Sequence, residues 1–233
     1  MIEDLDFETY LYISKDKFQI FVLNKKKLKN LYSQELKIDH QFDFKDLNIL
    51  LNFLDQNIYK IEKLIGNFIK NIILIVENEK NLKINMGIKK SYETSLKQKS
   101  FGSNLTELKD LFKKNYQDQT IMHMCIINYI IDGKRYSSFD TKLINDYFCI
   151  EVSFIAIDNK LVSAFDNVLE KYQIKIKQYM CGNYINNFIG DTGDEISIIA
   201  NKLRNGLNIN EITFVPKRKE NKGFFEKFFQ LFS

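Results

Sequence analysis

The chain has 233 residues, 34 Lys and Arg against 30 Asp and Glu, and a formal net charge of +4. That length holds one large domain or two small ones. So mild a charge, with basic runs no longer than Lys25-Lys26-Lys27 and Lys217-Arg218-Lys219, argues against a nucleic-acid-binding surface.

The elements follow in chain order. The acidic start, Met1 to Asp6, lacks the apolar core of a signal peptide. Residues 10–14 and 17–23 are β-prone runs split by the polar Lys15-Asp16, a hairpin turn. A third run ends near Ile38. Asp43 then caps a helix whose Leu47, Leu50, Leu51, Leu54, Ile58, Ile61 and Ile65 recur at helical spacing. Asn71 to Glu77 is a buried strand, and its apolar run Ile72–Val76 is too short to span a bilayer. A strand near 82–90 follows, then a helix from about Asn104, where Asn104 and Glu107 form a capping-box pattern ahead of Leu105, Leu108 and Phe112. Thr120 to Ile131 is a long strand that ends at the turn Asp132-Gly133. Phe148, Ile150, Val152 and Phe154 alternate with Cys149, Glu151 and Ser153 at a strand's period of two. Asp158 or Asn159 caps a helix carrying Leu161, Val162, Phe165, Val168, Leu169 and Tyr172. A strand from Ile174 to Met180, a short helix near 195–205 and a strand near 211–215 complete the body.

The three cysteines, Cys125, Cys149 and Cys181, are widely spaced and read as buried free thiols of a reducing compartment. With only His40 and His123 beside them and no C-x-x-C pair, a metal site has no basis. No catalytic constellation stands out either. His123 lies in an apolar strand run and reads as a packed histidine. Asp132 reads as turn chemistry before Gly133.

The last residues have a different character. On a helical wheel, Phe224, Phe225, Phe228, Phe229, Leu231 and Phe232 share one face, with Glu226, Lys227, Gln230 and Ser233 on the other. Lys217, Arg218, Lys219 and Lys222 precede them, after Pro216, the only proline. A cationic tether followed by an aromatic amphipathic helix of this length predicts a reversible anchor on an anionic membrane surface, with Lys227 adding to the charge. Ordering costs make a single tail weak, so the pattern also predicts self-association or recruitment by a partner.

His123, Tyr129 and Ile131-Asp132-Gly133 resemble a segment of the bacterial cell-division protein FtsA, with Ile126 where that family has a proline. The strand Phe148–Ile155, the helix-then-strand unit Asn159–Tyr179 and the C-terminal amphipathic helix are similar to the family's, in the same order. The resemblance implies a mixed α/β (α+β) chain. It would be half of an actin-like (ribonuclease H-like) core with an inserted SHS2-type subdomain, followed by the amphipathic helix. The implied units are a 1A-type lobe at 1–80, the SHS2 or 1C-like subdomain at 81–179, the rest of the core at 180–215, the tether at 216–222 and the membrane-targeting helix at 223–233. The chain is roughly half the family's usual length, and the second actin-like half is expected to be missing. The implied function is that of a peripheral adaptor on the cytoplasmic face of the inner membrane, recruiting divisome partners. FtsZ itself is met in the family through a 2B subdomain not seen here. The alternatives are an ATP-binding protein completed by a second chain, or a scaffold of another envelope machine such as a type IV pilus platform.

The phosphate loops of the family depart from its pattern. The first falls on Tyr12-Ile13-Ser14-Lys15 in one register and on Asp6-Phe7-Glu8-Thr9 in another. The first loses the glycine and the acidic residue, and the second puts a carboxylate where a phosphate would approach. Gly190-Asp191-Thr192-Gly193-Asp194 lacks consecutive glycines and reads as an acidic turn. The expectation is therefore a protein with no nucleotide site, no cofactor and no enzymatic activity.

Overall fold

The computed structural model describes residues 6–39, 42–91, 99–137, 147–190 and 193–213. The strands are β1 (Phe7–Ile13), β2 (Lys17–Asn24), β3 (Lys29–Lys37), β4 (Asn71–Val76), β5 (Leu82–Ser91), β6 (Gln119–Ile131), β7 (Lys134–Tyr136), β8 (Tyr147–Asp158) and β9 (Lys175–Cys181). The helices are α1 (Asn48–Ile65), α2 (Lys99–Asn115), α3 (Asn159–Glu170), α4 (Gly182–Asn186) and α5 (Ile196–Arg204).

Five strands form one sheet in the order β3-β2-β1-β4-β9. β2 runs antiparallel to β1 and β3, while β1, β4 and β9 are parallel. The central strands are buried on both sides, which is why Ile72–Val76 is continuously apolar instead of alternating. On one face Leu11, Ile13, Ile20, Val22, Leu74 and Val76 pack against α1 and α3. On the other, Tyr10, Tyr12, Phe21, Leu23, Ile73 and Ile75 pack against α4 and α5. This order, with β2 reversed between two layers of helix, is that of the ribonuclease H-like core that makes one half of an actin-like fold. The mixed α/β class expected from the sequence is the one found.

The second sheet is antiparallel, in the order β5-β8-β6-β7. One face packs on Leu105, Leu108 and Phe112 of α2, with Phe112 stacked on Phe154 at 4.7 Å between centroids. The other face meets the first lobe, so Met122, Ile155 and Ile157 lie in the core under α1 and α3. β6 and β7 join through Asp132 and Gly133, both at positive φ, the two-residue turn their Asp-Gly sequence favours.

Several local expectations differ from the structure. α1 starts at Asn48 with Leu47 at the cap position and no side-chain cap; Asp43 accepts from Lys45 N at 3.0 Å, in a turn, and Asp46 accepts from Asn48 N. Asn104 lies inside α2, which begins at Lys99, because a capping pattern cannot stop a helix when only Gly102 interrupts the sequence upstream. Glu107 instead pairs with Lys90 Nζ at 2.9 Å. The strand near 211–215 is a single bridge, Cys125 to Glu211, and residues from 214 onward lie outside the described residues. α4 gave no signal of its own. The second sheet closes at Asp158, so α3 and β9, drawn with the inserted subdomain up to residue 179, pack and pair with the first lobe instead.

Candidate functional site

Parallel strands end together, and in open α/β sheets ligands bind at their carboxyl ends. Here those ends are Ile13, Val76 and Cys181, continued by the turn Ser14–Lys17, Glu77 and Gly182. A pocket of about 390 Å³ opens there, lined by Tyr12, Asp16, Lys17, Glu77, Asn186 and Glu195 among others.

Its centre is the Glu77 carboxylate. Tyr12 Oη and Asn186 Nδ2 both donate to Glu77 Oε2 at 2.6 Å. Burial, and then this bond to a carboxylate, push the Tyr12 phenol well above its usual range, so it stays a donor. The β1–β2 turn is closed on itself. Ser14 N donates to Lys17 O at 3.0 Å, Lys17 N donates to Ser14 Oγ at 3.1 Å, and Ser14 Oγ also bonds Asp16. Its carbonyls are taken as well, Lys15 O by Phe42 N and Asp16 O by Ile38 N. Lys17 Nζ faces Glu35 at 3.7 Å.

A nucleotide phosphate fits this edge poorly. Two of the turn's backbone N–H groups, those of Ser14 and Lys17, are engaged within it, and the described residues of the pocket present Asp16, Glu77 and Glu195 with Lys17 as their one cation. In the other register, Glu8 is part of a different cluster. It accepts from Arg204 Nη1 at 2.5 Å, Tyr10 Oη at 2.9 Å and Asn201 Nδ2 at 3.3 Å. Gly190 and Gly193 both have positive φ, and Asp194 pairs with Lys202 of α5 at 2.6 Å, which fits a turn leading into that helix.

His123 is buried between the lobes. Its Nε2 accepts from Cys181 N at 2.9 Å, so Nδ1 carries the proton and donates to Glu211 Oε1 at 2.7 Å. Tyr184 Oη donates to Glu211 Oε2 at 3.0 Å, Asn208 Nδ2 donates to Tyr184 Oη at 2.8 Å, and Cys125 Sγ lies 3.5 Å from the same oxygen. Burial pushes both the Cys125 thiol and the Tyr184 phenol up, which keeps them neutral. The arrangement orients a histidine toward a backbone amide with both of its ring nitrogens engaged, and it ties segment 208–212 along β6. Bonds from Ile126 N to Asn210 O at 2.9 Å and from Ile212 N to Met124 O at 2.8 Å complete that seam. Sequence reading found His123 as a packed residue but not its partners, because Glu211 lies 88 positions away.

The residues expected to bind membrane, Phe224, Phe225, Phe228, Phe229, Leu231, Phe232, Lys217, Arg218, Lys219, Lys222 and Lys227, lie outside the described residues. Among the described residues no helix is long and apolar enough to cross a membrane.

Neither a known family model nor a curated protein sequence matches this chain. It is similar in fold to a PilM-PilN type IV pilus biogenesis complex at 7% identity and TM-score 0.47, over 78% of this chain and 49% of that one. It is also similar to the cytoplasmic domain of EpsL, an inner-membrane component of the type II secretion system of Vibrio cholerae, at 9% identity and TM-score 0.33, over 76% of this chain and 56% of that one. A third likeness is to a Bacteroides thetaiotaomicron protein of unknown function with an actin-like ATPase fold, at 14% identity and TM-score 0.31, over 81% of this chain and 58% of that one. The chain thus spans about half the length of the structures it matches, and its fold assignment rests on its own strand order.

Proposed function

We propose that this chain is a peripheral adaptor at the cytoplasmic face of the inner membrane, an FtsA-like cell-division protein that recruits partner proteins without hydrolysing ATP. The observation that carries the reading is the carboxylate at the strand ends. Glu77, held by Tyr12 and Asn186, stands beside a turn in which the Ser14 and Lys17 backbone donors are already engaged and Asp16 adds a second carboxylate. A scaffold whose reaction edge repels phosphate is left with its surfaces as its means of action. The second lobe then serves as an SHS2-type docking subdomain, and the sequence pattern of 216–233 supplies the hold on anionic lipid. The partners are divisome proteins, with FtsZ among them only if another surface replaces the 2B contact.

The experiment is co-sedimentation of the full chain with anionic vesicles, beside Phe228→Glu with Phe232→Glu. The wild type binds in a salt-sensitive way, and the double variant stays in the supernatant with its body folded. Equal sedimentation of the two overturns the anchor. Depletion in cells assigns the machine: filamentous cells support division, whereas lost pili or secretion with normal division overturn it. ATP hydrolysis by the chain, alone or with a completing partner, overturns the non-enzymatic reading.

A further inference from the structure

The amino ends of the parallel strands form a surface unlike their carboxyl ends. There the loop from Gly66 to Lys70 leaves α1 and enters β4. Gly66 takes a left-handed φ of 69°, Glu62 accepts from Ile69 N at 3.0 Å, and Ile69 is buried in the core. The loop so fixed leaves Phe68 79% exposed, on the rim of a cavity of about 510 Å³ that Lys25, Lys70 and Lys177 also line. Leu64, in the last turn of α1, is 52% exposed beside it. Two strand spacings away, roughly 10 Å, the β2–β3 turn carries another apolar tip. Leu28 sits there at φ 47°, a conformation that strains an L side chain and that glycine would take freely, and it is 40% exposed.

Cations outnumber carboxylates at this end. Lys25 pairs with Asp6 at 2.6 Å, and Lys177 pairs at 3.4 Å with Glu8, which already holds Arg204. Lys26, Lys27, Lys70 and Lys175 pair with no carboxylate among the described residues. Of the other carboxylates here, Glu62 is turned onto Ile69 N and Glu170 ends α3. The far end of the same sheet has the reverse sign, with Asp16, Glu77 and Glu195 around Lys17. Lysines alone would make only a solvated surface. What sets this end apart is a phenyl ring held out in water on a fixed loop, with lysines around it. An apolar tip that enters the headgroup layer and cations that meet lipid phosphates fit an anionic bilayer.

We propose that this end of the first lobe is a second membrane contact, which lies on an anionic lipid surface with Phe68 in the headgroup layer and Lys26, Lys27 and Lys70 against lipid phosphates. The contact deepens the adaptor reading and rests on its membrane part, but it uses the folded body where that reading uses the tail. The two can meet one bilayer. Thr213 lines a small cleft with Gln178, whose Oε1 accepts from Arg204 Nε at 2.8 Å, and Arg204 reaches Glu8 on the wall of the basic cavity. Ten residues separate Thr213 from Phe224, and that much chain spans up to roughly 35 Å. A body seated this way turns the acidic strand ends around Glu77 away from the lipid.

The chain has no tryptophan, so Phe68→Trp gives the full chain a single reporter at this end. With vesicles of phosphatidylglycerol and phosphatidylcholine its emission should shift to the blue, and brominated lipid should quench it. Sedimentation of the same samples reads the tail separately. An unmoved emission overturns the second contact, and the anchor still stands if that chain sediments. A blue shift that persists when Phe228→Glu and Phe232→Glu are added supports the contact even where the anchor fails. Lys26→Glu, Lys27→Glu and Lys70→Glu together should weaken vesicle binding by ~10-fold, about 1.4 kcal/mol. Lys45→Glu, Lys80→Glu and Lys160→Glu, at exposed positions of the opposite end, change the net charge equally and should leave binding nearly unchanged. Equal losses from the two triple variants, or an emission shift caused by duplex DNA and not by vesicles, overturn the proposal.

Discussion

Gly182 lies so close to Glu77 that a Cβ at position 182 would sit 2.7 Å from the Glu77 Cβ and 3.1 Å from its Cα and N. The contact joins the ends of β4 and β9 and lets α4 start at once, bringing Asn186 onto the Glu77 carboxylate. The constraint is space. The obstructing atoms are largely backbone, and Glu77 N is itself held by Ile13 O at 2.8 Å, so they cannot swing away.

Gly182→Ala should therefore destabilise the chain by about 1–3 kcal/mol, the usual cost of overpacking. Urea denaturation measures it. A midpoint unchanged from wild type would mean that the strand ends can part freely.

His123→Ala should act on one seam before it acts on the whole. The substitution leaves Cys181 N without its acceptor and Glu211 without its donor, and opens a cavity between the lobes, a loss of about 2–4 kcal/mol. Hydrogen exchange locates the effect. The Ile126 and Ile212 amides, which close segment 208–212 onto β6, should lose protection while those of β1 and β4 keep theirs. A uniform loss across both sheets would show that the seam has no stability of its own.

Much of this was legible in the sequence. The continuous apolar run Ile72–Val76 marked a doubly buried strand, and the alternation of Phe148 to Phe154 marked the inner strand of the second sheet, because burial on two faces or one leaves those different periods. Three things were hidden. A bulge at Met122 turns His123 toward the first lobe, and no residue type announces a bulge. Gln173 follows α3 at φ 60°, a position glycine usually marks, so that helix end had no signal. The partners of Glu77, Glu211 and Glu8, which are Tyr12, His123 and Arg204, are far off in sequence, so no local pattern announced those pairings. Local patterns set the strands, while the polar contacts at the strand ends and between the lobes depend on pairings at long range.

Glu8 gives a prediction with a pH signature. Its carboxylate and the Arg204 guanidinium are largely buried, at 13% and 16% side-chain exposure, and together they hold α5 on the sheet. Burial alone would raise the Glu8 pKa, but the bond from Arg204, its charge, and the Tyr10 hydroxyl outweigh it, and the net shift is downward. A carboxylate with a depressed folded-state pKa stabilises the fold above its unfolded value, and that contribution disappears as pH falls through the folded value. Glu8→Gln keeps the shape but leaves Arg204 facing a neutral amide, so at pH 7 it should cost about 1.5–3 kcal/mol. The gap between wild type and variant should hold from neutral pH down to the ordinary carboxylate pKa, 4.5, and narrow only below it as wild-type Glu8 takes up its proton. Denaturation of both proteins across that range reads the gap directly. A difference that stays constant into strong acid would assign the loss to packing, and the ion pair would then hold nothing together.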